Sequence, residues 1–181
     1  KAEILAAAAR ARVSTLRILA IDPPQGIAVL EVGPRGDADF VAAVTLTSEE
    51  PADELDALLT IHRPDLVAIE LVSREEGGRR VGGVYPKKGF GPKMAGNLYD
   101  SGRVAGELRD RARVRGYRVV LCGAPEWRSA LGAADDGAVA RLVPMRVKGW
   151  PKVSNKHNRD AAMVGIYCAM REGVALMKLR P

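Results

Sequence analysis

Residues 16–22 read Leu-Arg-Ile-Leu-Ala-Ile-Asp and run straight into Pro23-Pro24. An apolar run this short, stopped by turn residues, reads as a buried strand, and the residue that closes it is an acid. Asp65 to Leu71 repeats the form as Asp-Leu-Val-Ala-Ile-Glu-Leu, with Glu70 near its end. A carboxylate closing an apolar strand is costly to bury unless it is paired or metal-bound. Two such strands, brought side by side, would place two acids at one end of a sheet.

The intervening sequence fits that sheet. Gly26 to Val32 and Phe40 to Leu46 read as a second and third strand, joined through Gly33-Pro34-Arg35-Gly36-Asp37. Ser48-Glu49-Glu50-Pro51 opens a helix with a capping serine and early acids, and Leu55, Leu58, Leu59 and Ile61 carry it to Pro64. Residues 72–93 hold six glycines, six Lys/Arg and two prolines without periodicity, which predicts a long mobile basic loop. A helix is expected from Met94 to about Arg115 and a strand from Tyr117 to Cys122. A short helix begins near Pro125, and another covers Asp135 to Leu142. After the basic stretch Arg146 to Lys156, a last helix runs from His157 to about Glu172. The order predicts an α/β fold with a mixed five-stranded sheet flanked by helices and a cleft at the strand ends.

At 181 residues the chain suits one domain, 1–181. The Ala-rich start resembles a signal peptide superficially. Arg10 and Arg12 interrupt it, so residues 1–14 are expected to form a helical extension. The longest near-continuous apolar run, Ala161 to Met170, is too short to span a membrane, so no membrane partner is expected. Cys122 and Cys168 lie in apolar segments outside any disulfide or metal pattern, which fits a reducing cytoplasmic setting.

The net charge of +6 is unevenly spread. Residues 1–71 carry 6 Lys/Arg against 12 Asp/Glu, residues 72–118 carry 12 against 5, and residues 119–181 carry 10 against 5. All the excess positive charge therefore lies beyond residue 71, as expected of a chain with one face toward a polyanion. Arg74, Arg79, Arg80, Lys87, Lys88 and Lys93 follow Glu70 and would flank the cleft, with Lys156 across from them and Tyr85 or Phe90 available to stack on a base.

His157 and Asp160 are three residues apart, hence on one face of the first turn of the last helix. Each acid has an ordinary reading: Asp22 as a turn residue before proline, Glu70 as a solvated edge acid, His157 or Asp160 as a helix cap. Together, Asp22, Glu70, His157 and Asp160 would repel one another without a cation. An oxygen-rich set of this kind suits Mg²⁺ or Mn²⁺, and paired ions activate water for phosphodiester hydrolysis.

These residues carry a family resemblance. Leu19-Ala20-Ile21-Asp22-Pro23 with Gly26-Ile27-Ala28-Val29, Pro64 to Glu70, Gly102-Arg103-Val104-Ala105-Gly106 and His157-Asn158-Arg159-Asp160-Ala161-Ala162 resemble, in order, the motifs of the RuvC-type Holliday junction resolvases, with a ribonuclease H-like fold. Pro125-Glu126-Trp127-Arg128 with Leu131-Gly132 is similar to the wider phage and bacterial branches of that group. The resemblance spans residues 16 to about 172. It implies a homodimer that uses two Mg²⁺ ions, replaceable by Mn²⁺, to cut opposed strands of branched DNA in recombination and repair, in a bacterial cell or a phage-infected host. Asp22, Glu70 and Asp160 match the family's acids, and His157 stands where many members carry a fourth. Where the family places an aromatic wedge, three residues after the second acid, this chain has Ser73. Leu98, Gly102 and Gly106 on one helix would form the two-fold contact.

Other classes remain to be weighed: a related nuclease acting on RNA or an RNA–DNA hybrid, a non-catalytic nucleic-acid-binding module, and the ATP-binding fold of sugar kinases. The last needs a second phosphate loop and a second lobe, for which the chain has no room, so no nucleotide cofactor is expected.

Overall fold

The computed structural model describes the backbone of residues 15–33, 36–46, 50–71, 73–76, 79–83 and 92–178. Within these, side chains are described for residues up to 71 and for 101–172. The expected helical extension 1–14 and the capping Ser48 lie outside the described residues.

Three antiparallel strands come first: β1 (Leu16–Asp22), β2 (Gly26–Val32) and β3 (Ala38–Thr45). Helix α1 (Pro51–His62) leads to β4 (Leu66–Leu71), and helix α2 (Pro92–Val114) leads to β7 (Val119–Gly123). β4 lies parallel to β1, and β7 parallel to β4. Helices α3 (Ala124–Leu131), α4 (Asp136–Arg146) and α5 (Lys156–Lys178) follow. The sheet order is β7-β4-β1-β2-β3-β8, where β8 is Val147–Lys148. The α/β class and mixed sheet are as expected, but the strands number six rather than five. The extra strand is two residues long, too short for any periodicity to announce.

A second departure falls inside the expected loop 72–93. Its described part forms an antiparallel ribbon of β5 (Ser73–Glu76) and β6 (Arg79–Gly83), separate from the main sheet. Glycines and charges hide strand character here, because the sequences Ser-Arg-Glu-Glu and Arg-Arg-Val-Gly-Gly hold one apolar side chain between them, Val81, and so show no apolar alternation. Tyr85, Lys87, Lys88 and Phe90 lie outside the described residues.

Strand parity divides the core. Ile18, Ala20, Leu66 and Ala68 face one layer, where α3, α4 and α5 supply Trp127, Leu131, Val139, Val143 and a run from Ala161 to Ala169. Leu19, Ile21, Val67 and Ile69 face the other, against Leu55, Leu58 and Leu59 of α1 and Val104, Ala105, Leu108 and Ala112 of α2. Ile61, expected on the apolar stripe of α1, is 69% exposed. Ile61 lies within α1 but about a third of a turn off the stripe of Leu55, Leu58 and Leu59, and the helix ends two residues later at Arg63 in a left-handed conformation.

Two glycines let α5 sit against the sheet. A Cβ on Gly165 would stand 2.9 Å from that of Ala20, and one on Gly26 would stand 2.3 Å from the carbonyl carbon and oxygen of His157. The side-chain amide of Asn158 then fastens this end, donating to the carbonyls of Ile27 at 2.9 Å and Val44 at 2.7 Å. Asn155 caps the helix, accepting from the Asn158 backbone N–H at 2.7 Å. Gly26→Ala is therefore expected to cost about 1–3 kcal/mol, the usual range for overpacking, or more because the clash is with backbone. Chemical denaturation checks this; an unchanged midpoint would show that α5 does not press on β2.

Candidate active site

The register of β1 and β4 builds the site. Ile21 lies beside Ile69, so Asp22 comes level with Glu70. Both share parity with Ala20 and Ala68, so both carboxylates project to the α5 side of the sheet. The first turn of α5, held down by Asn158, carries His157 and Asp160 over them. Asp22, Glu70 and Asp160 are all buried, and His157 is half-buried. The four residues expected to form one site thus come together from three elements.

Each acid leans on a different donor. The His157 Nδ1 lies 2.8 Å from Asp22 Oδ2. The indole N–H of fully buried Trp127 donates to Glu70 Oε2 at 3.1 Å. The Arg128 guanidinium donates to Asp160 Oδ2 at 3.3 Å and to Asp136 Oδ1 at 3.1 Å, while stacking 4.7 Å from the Trp127 ring centroid. Lys156, expected to face nucleic acid, instead pairs with Asp136 at 2.9 Å. Trp127 and Arg128 were legible only as part of a motif. Nothing in their local sequence assigns them to Glu70 and Asp160, because the link is made by the turn from β7 into α3.

The electrostatics are those of crowded like charges. Burial and the Asp22 carboxylate push Glu70 up to about 8, against the pull of the Trp127 hydrogen bond. Burial and the same neighbour push Asp160 up to about 6, opposed by Arg128 and Lys156. Its hydrogen bond to Asp22 holds His157 above the ordinary imidazole range, although partial burial works the other way.

The donor set suits a hard divalent cation: three carboxylates, one imidazole, and a buried Asp160 Oδ1 with no hydrogen-bond partner. Among the described residues, however, no three such side chains close on one point as a finished cage. Each of the three carboxylates is instead held by its own hydrogen bond, from Trp127, Arg128 or His157.

Of the remaining expected residues, Arg74 lies on β5, Arg79 and Arg80 on β6, and Lys93 and Leu98 on α2, where only the backbone is described. Among the described residues, nothing lies within 4 Å of a Cβ added at Gly102 or Gly106. No described helix is long and apolar enough to cross a membrane.

No protein-family model and no curated protein sequence matches the chain. Solved structures do. RuvC of T. thermophilus in complex with a Holliday junction substrate aligns with a TM-score of 0.65 at 19% identity, covering 88% of this chain and 96% of that one. The chain has the fold of the RuvC-type Holliday junction resolvases. A second Thermus thermophilus RuvC structure aligns at 0.58 with 21% identity, over 87% of this chain and 95% of that one. The yeast mitochondrial Holliday junction resolvase Ydc2 aligns at 0.53 with 14% identity, over 92% and 82%. The RuvC-type fold thus spans nearly the whole chain, at identities that speak to architecture alone.

The raised carboxyl groups have a consequence for stability. Between the ordinary glutamate value near 4.5 and about 8, the folded chain keeps a proton on Glu70 that the unfolded chain has released. Stability without metal therefore falls as pH rises through that window, and Asp160 acts in the same direction up to about 6. Glu70→Gln, which removes the charge, is expected to melt higher than wild type at pH 8.5 in chelator and to match it at pH 4. Thermal denaturation at the two pH values checks this; a variant no more stable than wild type at pH 8.5 would contradict it.

Proposed function

We propose that this protein is a divalent-metal-dependent endonuclease that cuts four-way DNA junctions. The observation that carries the reading is the meeting of Asp22, Glu70 and Asp160, from two adjacent parallel strands and the helix above them, in one buried place. Nothing in packing requires three acids there, and the site destabilises the fold unless a cation joins it. The likeness of the whole chain to RuvC structures, one solved with a Holliday junction, supports branched DNA as the substrate.

On this reading Asp22, Glu70, Asp160 and the imidazole of His157 hold two Mg²⁺ ions, with Mn²⁺ able to replace them. The ions, when bound, supply an activated water and a charge clamp on the phosphodiester. The protein's own part is orientation. Trp127 fixes Glu70 by its N–H, Asn158 fixes the height of the α5 turn, and Arg128 holds Asp160 against its repulsion by Asp22. A ligating imidazole must be neutral, so any protonated His157 would have to release a proton for its ring to serve as a ligand. The basic residues Arg74, Arg79, Arg80, Lys87, Lys88 and Lys93 contact phosphates, and Tyr85 or Phe90 stacks in place of the wedge absent at Ser73.

Asp22→Asn, Glu70→Gln and Asp160→Asn should each lower junction cleavage by roughly 100-fold or more while leaving junction binding within a few-fold, since each removes ligand charge and no phosphate contact. Cleavage and binding of a labelled four-way junction, with linear duplex and RNA–DNA hybrid alongside, measure both. A variant cutting at near wild-type rate in Mg²⁺ would remove that residue from the site, and a wild type preferring the hybrid would replace the substrate.

Paired cuts on opposed strands need two active sites, and a two-fold dimer supplies them. We place its contact on α2 through Leu98 and the open faces of Gly102 and Gly106. Gly106→Leu, shown folded by circular dichroism, should sediment as a monomer and leave singly nicked junctions. A monomeric wild type making paired cuts would refute the dimer.

A further inference from the structure

The described arginines and lysines fall into two groups. Most are neutralised within the chain: Arg17 by Glu31, Arg103 by Glu107, Arg109 by Asp110, Arg111 and Arg115 by Asp56, Arg118 by Glu172, and Arg171 by Glu126 and Glu172. Residues 137–159 contain six Lys/Arg and no acid. Four of them, Arg141, Arg146, Lys148 and Lys152, have no hydrogen-bond or ion-pair partner among the described residues. Two of the nearby acids are engaged elsewhere, and the third makes no ion pair with the strip. Asp135 caps α4, Asp136 is taken by Arg128 and Lys156, and Asp39, beside Lys148 in the β3–β8 register, makes no ion pair with it.

This basic strip is held in shape. Val147 is buried and paired with Ala38 at the sheet edge. Trp150 packs edge-on against Phe40 with centroids 5.3 Å apart, and its N–H reaches Ser154 Oγ at 3.0 Å. Arg159 donates to the Ser154 carbonyl at 2.7 Å, and the Asn155 amide to Thr45 Oγ1 at 2.9 Å. The segment therefore runs as a fastened strap from the end of α4, along the sheet edge, to His157.

We propose that residues 141–152 form a second phosphate-binding surface, which seats a duplex arm of the DNA substrate at a distance from the acids. β8 lies level with Leu16 and Arg17, at the opposite end of β1 from Asp22, and the strap returns from there along the sheet edge to His157. The inference deepens the nuclease reading and rests on it. Unpaired like charges on a rigid frame raise the local potential, and an extended polyanion relieves it with little ordering cost. A single small anion is a poor match, because among the described residues no buried polar side chain closes a pocket around these cations. The strap also presents no aromatic face: its one ring, Trp150, is half-buried against Phe40. Stacking on unpaired bases is therefore absent, and contact is to backbone, as duplex requires.

The test is the salt dependence of binding to a labelled four-way junction with duplex arms, by the full chain in chelator. Arg141→Gln/Lys148→Gln/Lys152→Gln should lower the slope of log affinity against log salt by about 2 to 3, at roughly 0.9 per lost phosphate contact. Arg63→Gln/Arg113→Gln is the control. These two cations are also exposed and lack ion partners among the described residues, but Arg63 caps the C-terminus of α1 and Arg113 lies on α2, the helices of the opposite layer. Their loss should leave the slope within about 0.5 of wild type. A triple variant with the wild-type slope, or a control that loses as much, overturns the strap and leaves the nuclease reading standing. A wild type that does not bind the junction at any salt overturns both.

Discussion

Three carboxylates in one buried place repel one another, and the rest of the molecule is arranged around that repulsion. The parallel register of β1 and β4 brings Asp22 level with Glu70, and the α5 turn sets Asp160 over both. Without a cation the chain limits the damage in two ways. Glu70 and Asp160 retain protons above the usual carboxylate range, and Trp127, Arg128 and His157 each give one acid a hydrogen bond. On the proposed reading the site lowers the stability of the fold in exchange for affinity toward a divalent ion, a trade common at functional sites.

The helix that closes the site owes its position to small residues and one amide. Gly26 and Gly165 permit backbone approach that a methyl group would block. Asn158 lies between the two residues expected to bind metal, and its side chain points the other way, into the strand carbonyls of Ile27 and Val44. Neighbouring positions on one turn thus divide the work. His157 and Asp160 face the acids, and Asn158 sets how near they come.

Much of this was legible in the sequence because strand burial and strand parity are local properties. Apolar runs ending in Asp22 and near Glu70 identify both strands, and i, i+3 spacing puts His157 and Asp160 on one helical face. What stayed hidden depends on contacts between distant segments. β8 is two residues long and exists only because β3 offers it an edge. The sequence of the β5–β6 ribbon has no alternating apolar residues, so its glycines and arginines read as loop. Lys156 has the look of a free phosphate ligand until Asp136 is seen beside it. The roles of Trp127 and Arg128 follow from the β7–α3 turn that delivers two consecutive side chains to two different acids. No periodicity encodes that.

The central claim is that these acids exist to hold divalent metal. Anomalous diffraction from crystals of the full chain soaked in Mn²⁺ tests it most directly. The account predicts anomalous density in contact with the carboxylates of Asp22, Glu70 and Asp160, with the formerly unpartnered Oδ1 of Asp160 among the ligands. Saturating Mn²⁺ that leaves those three carboxylates bare, still bound only to Trp127, Arg128 and His157, would contradict it.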